Sequence, residues 1–328
     1  MRKQSAKELY KTLPGIRVGQ ASDFKGLTGC TVIRCPEGAV CGVDIRGSAT
    51  GTRDLTPCDP GPLVDRVHAV FLTGGSAFGL DAASGVMKYL EARRVGFPAG
   101  PVRVPIVPAA VIFDLGVGYS EARPDPSMAL EACRKATTDV VVGSVGAGTG
   151  ATVGKLYGMA QAMKGGVGFA SLEFGRAVRV QALAVVNAFG DVVDPKNGAI
   201  LVGARKSKKS FELADTEAQM LRGASRQGFG TKHTTLVVIM TDARLDKLQA
   251  TKVAQMAQDG MARAIRPVHT QFDGDLIFAL SVGTKRTDLN TLGTAAAGVT
   301  ARAIVNAIKT AKGLGGVPSY QDIRKSVA

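Results

Sequence analysis

Tryptophan is missing from this chain, and aromatic residues make up only 5% of its 328 positions. A core built around large rings is thereby excluded, and Ala, Val, Leu, Ile and Gly must fill the interior. Histidine is scarce as well: His68, His233 and His269 are the whole supply. A Ser-His-Asp hydrolase needs one of them beside a nucleophilic Ser, and no G-x-S-x-G elbow occurs, so that chemistry is disfavoured. His68 lies near the start of an apolar run and reads as a packed histidine. The five cysteines are odd in number and form no C-x-x-C pair. Reduced thiols in a cytoplasmic enzyme fit that usage better than structural zinc. Long apolar runs are also lacking. The longest uncharged stretch, Val140–Gly154, has 15 residues and carries five glycines, which is too short to span a bilayer. The basic start, Met1-Arg2-Lys3-Gln4-Ser5, has no apolar segment behind it and does not read as a secretory signal. A soluble, cytoplasmic protein is expected, with no membrane partner.

Positive charge is plentiful. Lys and Arg number 41 against 27 Asp and Glu, a formal net charge of +14. Such an excess attracts anions and has to be weighed as a nucleic-acid footprint. The basic residues are scattered, however, and the one dense stretch, Arg205-Lys206-Ser207-Lys208-Lys209, has no interleaved aromatic for base stacking. A solvated loop with no part in the chemistry is the better reading there, and nucleic acid is not the expected partner. Hydrophobic residues at 45% and charged residues at 21% describe an ordinary globular chain. Its length suits one large domain or two small ones.

Short β-rich runs alternate with helical patterns. Thr31–Cys35 and Ala39–Ile45 read as a hairpin split by Pro36-Glu37-Gly38. Val67–Thr73 reads as a buried strand ending at Gly74-Gly75, with Ser76 capping a helix that runs to about Arg94. Pro105–Leu115 suits an edge strand or extended loop. Helices are predicted over Met128–Ala136, Leu245–Ile265 and Thr291–Ala311, and strands over Val178–Val186, Thr235–Met240 and Leu276–Val282. Lys206–Lys232 is a polar interruption, followed after His233 by the abruptly apolar Thr234-Thr235-Leu236-Val237-Val238-Ile239-Met240.

Two stretches could carry chemistry. Gly146-Ala147-Gly148-Thr149-Gly150-Ala151 follows a strand-like Val140-Val141-Val142 and satisfies a relaxed dinucleotide fingerprint, but the P-loop pattern fails. A tight turn explains the same residues, and a glycine-rich turn can also aim backbone amides at an oxyanion. Asp273-Gly274-Asp275 precedes a strand, with His269-Thr270 just upstream. Carboxylates one residue apart share a face of an extended segment and can hold a metal, a proton or an amine; on these residues alone a surface turn is the better reading.

Several stretches taken together resemble one family. They are Leu13-Pro-Gly-Ile-Arg-Val-Gly, Thr28-Gly-Cys-Thr-Val, Leu72-Thr-Gly-Gly-Ser-Ala-Phe-Gly-Leu-Asp-Ala-Ala, Val107-Pro-Ala-Ala-Val-Ile-Phe-Asp-Leu, the glycine-rich run from Gly146 to Lys155, Val186-Asn-Ala-Phe-Gly-Asp and Phe272-Asp-Gly-Asp. In that order they are similar to the DmpA-type peptidases, which comprise L-aminopeptidase/D-amidase/D-esterases, β-aminopeptidases and nylon-oligomer hydrolases. The resemblance implies an α/β (α+β) fold, an αββα four-layer sandwich, in a single hydrolase domain spanning 1–328. It implies a precursor that cuts itself between His233 and Thr234 into an α chain, 1–233, and a β chain, 234–328.

Carried over by position, the resemblance makes Thr234 the nucleophile and Asn187 the oxyanion-side asparagine. Asp273 and Asp275 orient the nucleophile and its amine. Lys155 matches an active-site lysine of the nylon-hydrolase branch, with Lys164 as the competing candidate. Phe113 stands where some members carry a tyrosine. Gly148 and Gly150 belong to the loop expected to lend a backbone amide. His233 departs from the usual Asn or Gly before the nucleophile. The implied protein needs no cofactor, acts on small peptides or amides, keeps its own α and β chains together, and forms a homo-oligomer, by default a tetramer. The alternatives are an unprocessed or acyltransferase-like relative of the same fold, a non-catalytic binding protein, and, more distantly, a dinucleotide-binding oxidoreductase.

Overall fold

The computed structural model describes residues 10–175, 177–225 and 233–327. Nine strands are hydrogen-bonded together, eight of them in one continuous path. They are β1 (Arg17–Asp23), β2 (Thr28–Ile45), β3 (Thr52–Arg53), β4 (Val67–Thr73), β5 (Ala109–Val111), β6 (Gly166–Phe174), β7 (Val178–Asn187), β8 (Thr234–Ala243) and β9 (Leu276–Lys285). Their order is β6-β7-β8-β9-β2-β4-β5-β3, with β1 paired to β2. The helices are α1 (Ala83–Glu91), α2 (Pro126–Arg134), α3 (Thr216–Leu221), α4 (Lys247–Ala264), α5 (Leu289–Thr310) and α6 (Tyr320–Val327).

The path folds into two stacked sheets at β2. That strand's pairing with β4 slips between Arg34 and Ala39, where Gly38 takes a left-handed φ of 79°. Residue alternation then builds three cores. Ile33, Val70 and Leu72 from one sheet meet Leu183, Val185, Leu236, Val238 and Phe278 from the other. On the outer face of the first sheet, Val32, Ala69 and Phe71 pack under α1 and α2 residues such as Val86 and Ala132. On the outer face of the second, Ala182, Ala184, Val237 and Ile239 pack under Val253, Ala257, Ala296 and Ile304 of α4 and α5. Each large aliphatic side chain fully buried this way contributes about 1.5–3 kcal/mol. The result is the αββα sandwich.

Small residues set the layer spacing. A β-carbon placed on Gly42 would lie 2.1 Å from the Thr251 nitrogen of α4, and one on Gly168 would lie 2.0 Å from the Ala303 carbonyl oxygen of α5. Glycine there lets helix backbone rest directly on strand backbone, which is why a core so poor in rings still closes.

Four local expectations are corrected. Thr31–Cys35 and Ala39–Ile45 are not a hairpin but one bent strand; β1 is the hairpin partner of β2, joined through a turn in which Asp23 accepts from the amides of Lys25 and Gly26. Ser76 is no cap: it has a φ of 53° and opens a 3₁₀ turn, Ser76–Ala82, ahead of α1. Val140–Val142 is not a strand, so the glycine-rich run lacks the strand–turn–helix setting that dinucleotide binding needs. Arg205 is buried rather than solvated, and its guanidinium donates to the carbonyls of Ala160, Lys208 and Ser210. The polar run 226–232 lies outside the described residues.

Candidate active site

The site forms where β7 ends and β8 begins. Antiparallel pairing sets Asn187 opposite Thr234. The period of two sends both side chains to the face that carries Val185 and Leu236, between the sheets, and sends Thr235 to the other. Both residues are buried, Thr234 to 2% exposure. Its hydroxyl donates to the carbonyl of His233, at 2.6 Å.

That carbonyl is gripped from a second side. His233 pairs in parallel with Asp273, donating its amide to the Phe272 carbonyl at 2.8 Å and receiving the Gly274 amide at 2.6 Å. The parallel ladder of β8 and β9 thus extends across the His233–Thr234 bond. The His233 ring packs 5.5 Å from Phe189, which lies 5.3 Å from Phe272.

Asn187 is held by its neighbours. Its Oδ1 accepts from the Thr152 amide at 3.0 Å and from Lys155 Nζ at 2.7 Å, and Lys155 also donates to the Asn187 carbonyl. Its Nδ2 donates to the Phe113 carbonyl at 3.2 Å. A side-chain amide has two such hydrogens, so a second remains for another acceptor. Lys155 is thereby brought to Asn187. Lys164 is not: its ammonium donates to the carbonyls of Gly148, Ala151 and Gly165, and burial lowers its pKa to about 7.

The acidic pair is buried to 1% exposure at both residues. Asp273 accepts from the Phe189 amide and from the amide and hydroxyl of Thr270. Asp275 accepts from the Thr235 amide at 2.6 Å and from His269 through both its amide and Nδ1. Burial, reinforced by the neighbouring charge of Asp275, raises the Asp273 pKa to about 7. The unfolded carboxyl ionises near pH 4 while the folded one keeps its proton to about 7, so this group makes stability fall as pH rises from about 4 to about 7. In chemical denaturation over that range, Asp273→Asn should flatten the decline.

The glycine-rich loop is a structural turn. The amides of Gly146, Ala147, Gly148, Thr149, Ala151 and Thr152 donate to Ser22, Thr31, Val145, Gly146, Gly148 and Asn187 respectively. Gly148 therefore does not present its amide to an oxyanion, contrary to expectation, and Gly150 is packed against Asp114 and the Leu27 carbonyl. The amide that does reach a carbonyl at the site is that of Gly274. Sequence reasoning passed it over because a glycine between two aspartates reads first as a turn. The backbone partners at Thr152 and Phe113 leave no signal in side-chain identity. Among the described residues no group of three or more His, Cys, Asp or Glu is placed to hold a metal ion, and no helix is long and apolar enough to cross a membrane.

Comparison with known proteins identifies the family and the fold. The chain is 42% identical over 319 residues to an uncharacterised aminopeptidase of Mycobacterium bovis, covering 90% of this chain and 89% of that one. It is 31% identical over 286 residues to a 6-aminohexanoate-oligomer endohydrolase of Kocuria sp. (strain KY2), covering 85% and 75%. The fold is similar to that of a Burkholderia sp. β-aminopeptidase, with a TM-score of 0.69, 20% identity and coverage of 100% and 95%. It is likewise similar to an L-aminopeptidase D-Ala-esterase/amidase from Ochrobactrum anthropi, described as a variant of the Ntn hydrolase fold, with a TM-score of 0.72, 18% identity and the same coverage. The model of peptidase family S58 matches residues 12–321, so the chain belongs to that family and is a peptidase or amidohydrolase.

Proposed function

We propose that this hydrolase matures by cutting its own His233–Thr234 bond and then cleaves small peptides or amides with Thr234 as an N-terminal nucleophile. The observation that carries the reading is the pair of 2.6 Å contacts on one carbonyl, the Thr234 hydroxyl and the Gly274 amide both on the His233 oxygen. The atom that attacks and a donor that steadies the resulting charge are thus already beside the bond to be cut.

In maturation the Thr234 oxygen adds to the His233 carbonyl carbon. The carbon–nitrogen bond then breaks, the nitrogen takes a proton to become the Thr234 α-amine, and water hydrolyses the ester left behind. A preorganised donor of the Gly274 kind typically contributes about 3–4 kcal/mol to such a step. In turnover the freed α-amine, with an ordinary pKa of roughly 7.7–8.0, takes the hydroxyl proton in place of a histidine. Asn187 offers its second amide hydrogen to the oxyanion, and Lys155 holds Asn187 in place. The substrate's amine leaves, and water releases the acyl group from Thr234. Asp275 anchors the chain through the Thr235 amide, while Asp273, able to carry a proton near neutrality, limits how far negative charge raises the amine pKa.

The names of the relatives support α- and β-aminoacyl amides and aminohexanoate oligomers as substrates to try. A homotetramer of processed pairs in the cytoplasm is the accompanying expectation. Intact-mass measurement with N-terminal sequencing tests the core of the reading. The 33.9 kDa chain should yield pieces of roughly 24 and 10 kDa, the smaller beginning Thr-Thr-Leu-Val-Val. A chain that stays whole while hydrolysing amides would remove the α-amine from the mechanism and favour the unprocessed alternative.

A further inference from the structure

We propose that His269 is a positioning residue for this chemistry, holding the Asp275 carboxylate on the peptide that carries Thr234; the inference rests on Thr234 being the nucleophile. His269 and Thr270 are consecutive, and each takes one of the two buried carboxylates. Thr270 binds Asp273 through amide and hydroxyl, at 3.1 and 2.6 Å. His269 binds Asp275 Oδ2 through amide and Nδ1, at 3.2 and 3.0 Å. The other oxygen of Asp275 receives the Thr235 amide at 2.6 Å. A carboxylate fixed at both oxygens fixes in turn the peptide unit immediately after the nucleophile.

The arrangement has costs that a mere surface turn would not carry. His269 sits at a left-handed φ of 56°, a conformation that side chains with a β-carbon rarely adopt. Its Nε2 is buried with no hydrogen-bond partner among the described residues. Backbone strain persists where the surroundings over-determine a residue, which is a recurrent condition of functional sites. Two carboxylates one residue apart would otherwise relax by rotating away from each other or sharing a proton. The His269–Thr270 clamp keeps them apart, each pointed at its own amide.

Two substitutions separate positioning from folding. Asparagine tolerates the left-handed conformation and carries a donor close to the position of Nδ1. Glycine tolerates the conformation better still and has no side-chain donor. His269→Asn should self-cleave and turn over within a few-fold of the parent. His269→Gly should melt at a similar temperature yet lose about 10- to 100-fold in the rate of self-cleavage and in kcat, with KM little changed. Cleavage is read as the fraction of whole chain over time, and turnover on a panel of α- and β-aminoacyl p-nitroanilides and aminohexanoate oligomers. Equal rates for the Gly variant and the parent, or equal losses in the Asn and Gly variants, would overturn the positioning role. A parent chain that is active but never cut would instead count against α-amine catalysis, and activity surviving in Thr234→Ala would count against Thr234 itself.

Discussion

Thr234→Ala should leave the 33.9 kDa chain uncut and lower amide hydrolysis by at least about 10⁴-fold. The substitution removes the attacking oxygen together with the buried γ-methyl beside it. The hydroxyl is buried, and its hydrogen bond is to the adjacent His233 carbonyl, which keeps the Gly274 amide as a donor. The loss in stability should therefore stay within about 1–2 kcal/mol, readable in a denaturant titration. Thr234→Ser keeps the oxygen and should still cut itself and turn over. Activity surviving in the alanine variant would mean that another group attacks the substrate, and the site would have to be reassigned.

Gly274→Ala should nearly stop maturation while leaving the nucleophile in the chain. A β-carbon on Gly274 would lie 2.7 Å from the Thr234 hydroxyl oxygen and 2.8 Å from the Ala49 carbonyl oxygen. Both distances are well inside ordinary contact, and neither neighbour is the far end of a flexible side chain. Either the hydroxyl is pushed off its line to the His233 carbonyl or the Gly274 segment retreats and its amide with it. Losing one oxyanion donor costs on the order of 10²- to 10³-fold, and displacing the nucleophile adds to that. Overpacking of this kind costs about 1–3 kcal/mol in stability, so a thermal melt should accompany the measurement of cutting over time. Maturation at the parental rate would show that the Gly274 amide gives the reaction nothing.

The elements most accurately legible in the sequence were those whose periodicity is undisturbed. Val67–Thr73 is a strand to the residue, and the three strands and two helices expected from Val178 onward fall within a few residues of their predicted bounds, whereas α3 and α6 had not been expected. Legibility failed where a local cue had two meanings. Pro36-Glu37-Gly38 is turn chemistry, yet here it bends one strand between two sheets, because Arg34 and Ala39 both pair with β4. Ser76 has the side chain of a cap but not the backbone angle of one. Glycines 146 to 154 look poised to receive a phosphate or an oxyanion, but the amides of Gly146, Gly148 and Gly154 are spent on Ser22, Val145 and Gly190. Whether an amide is free is a property of its surroundings.

The sequence by itself determined which residues carry reactive groups, the scarcity of histidine that points away from a Ser-His-Asp site, and, through motifs spread from Leu13 to Asp275, the family and its layered fold. Tertiary structure decided which of those groups meet. Lys155 and Lys164 could not be told apart along the chain. In the fold one ammonium reaches Asn187 and the other is consumed by the carbonyls of a loop. The same holds for Gly274 and His269, whose contributions are a backbone amide and a ring nitrogen placed by strands that lie far apart in sequence. Periodicity records which face of a strand a side chain takes, because that preference acts over a few residues. A hydrogen bond 2.6 Å long depends on the register between strands, which only the packed chain fixes.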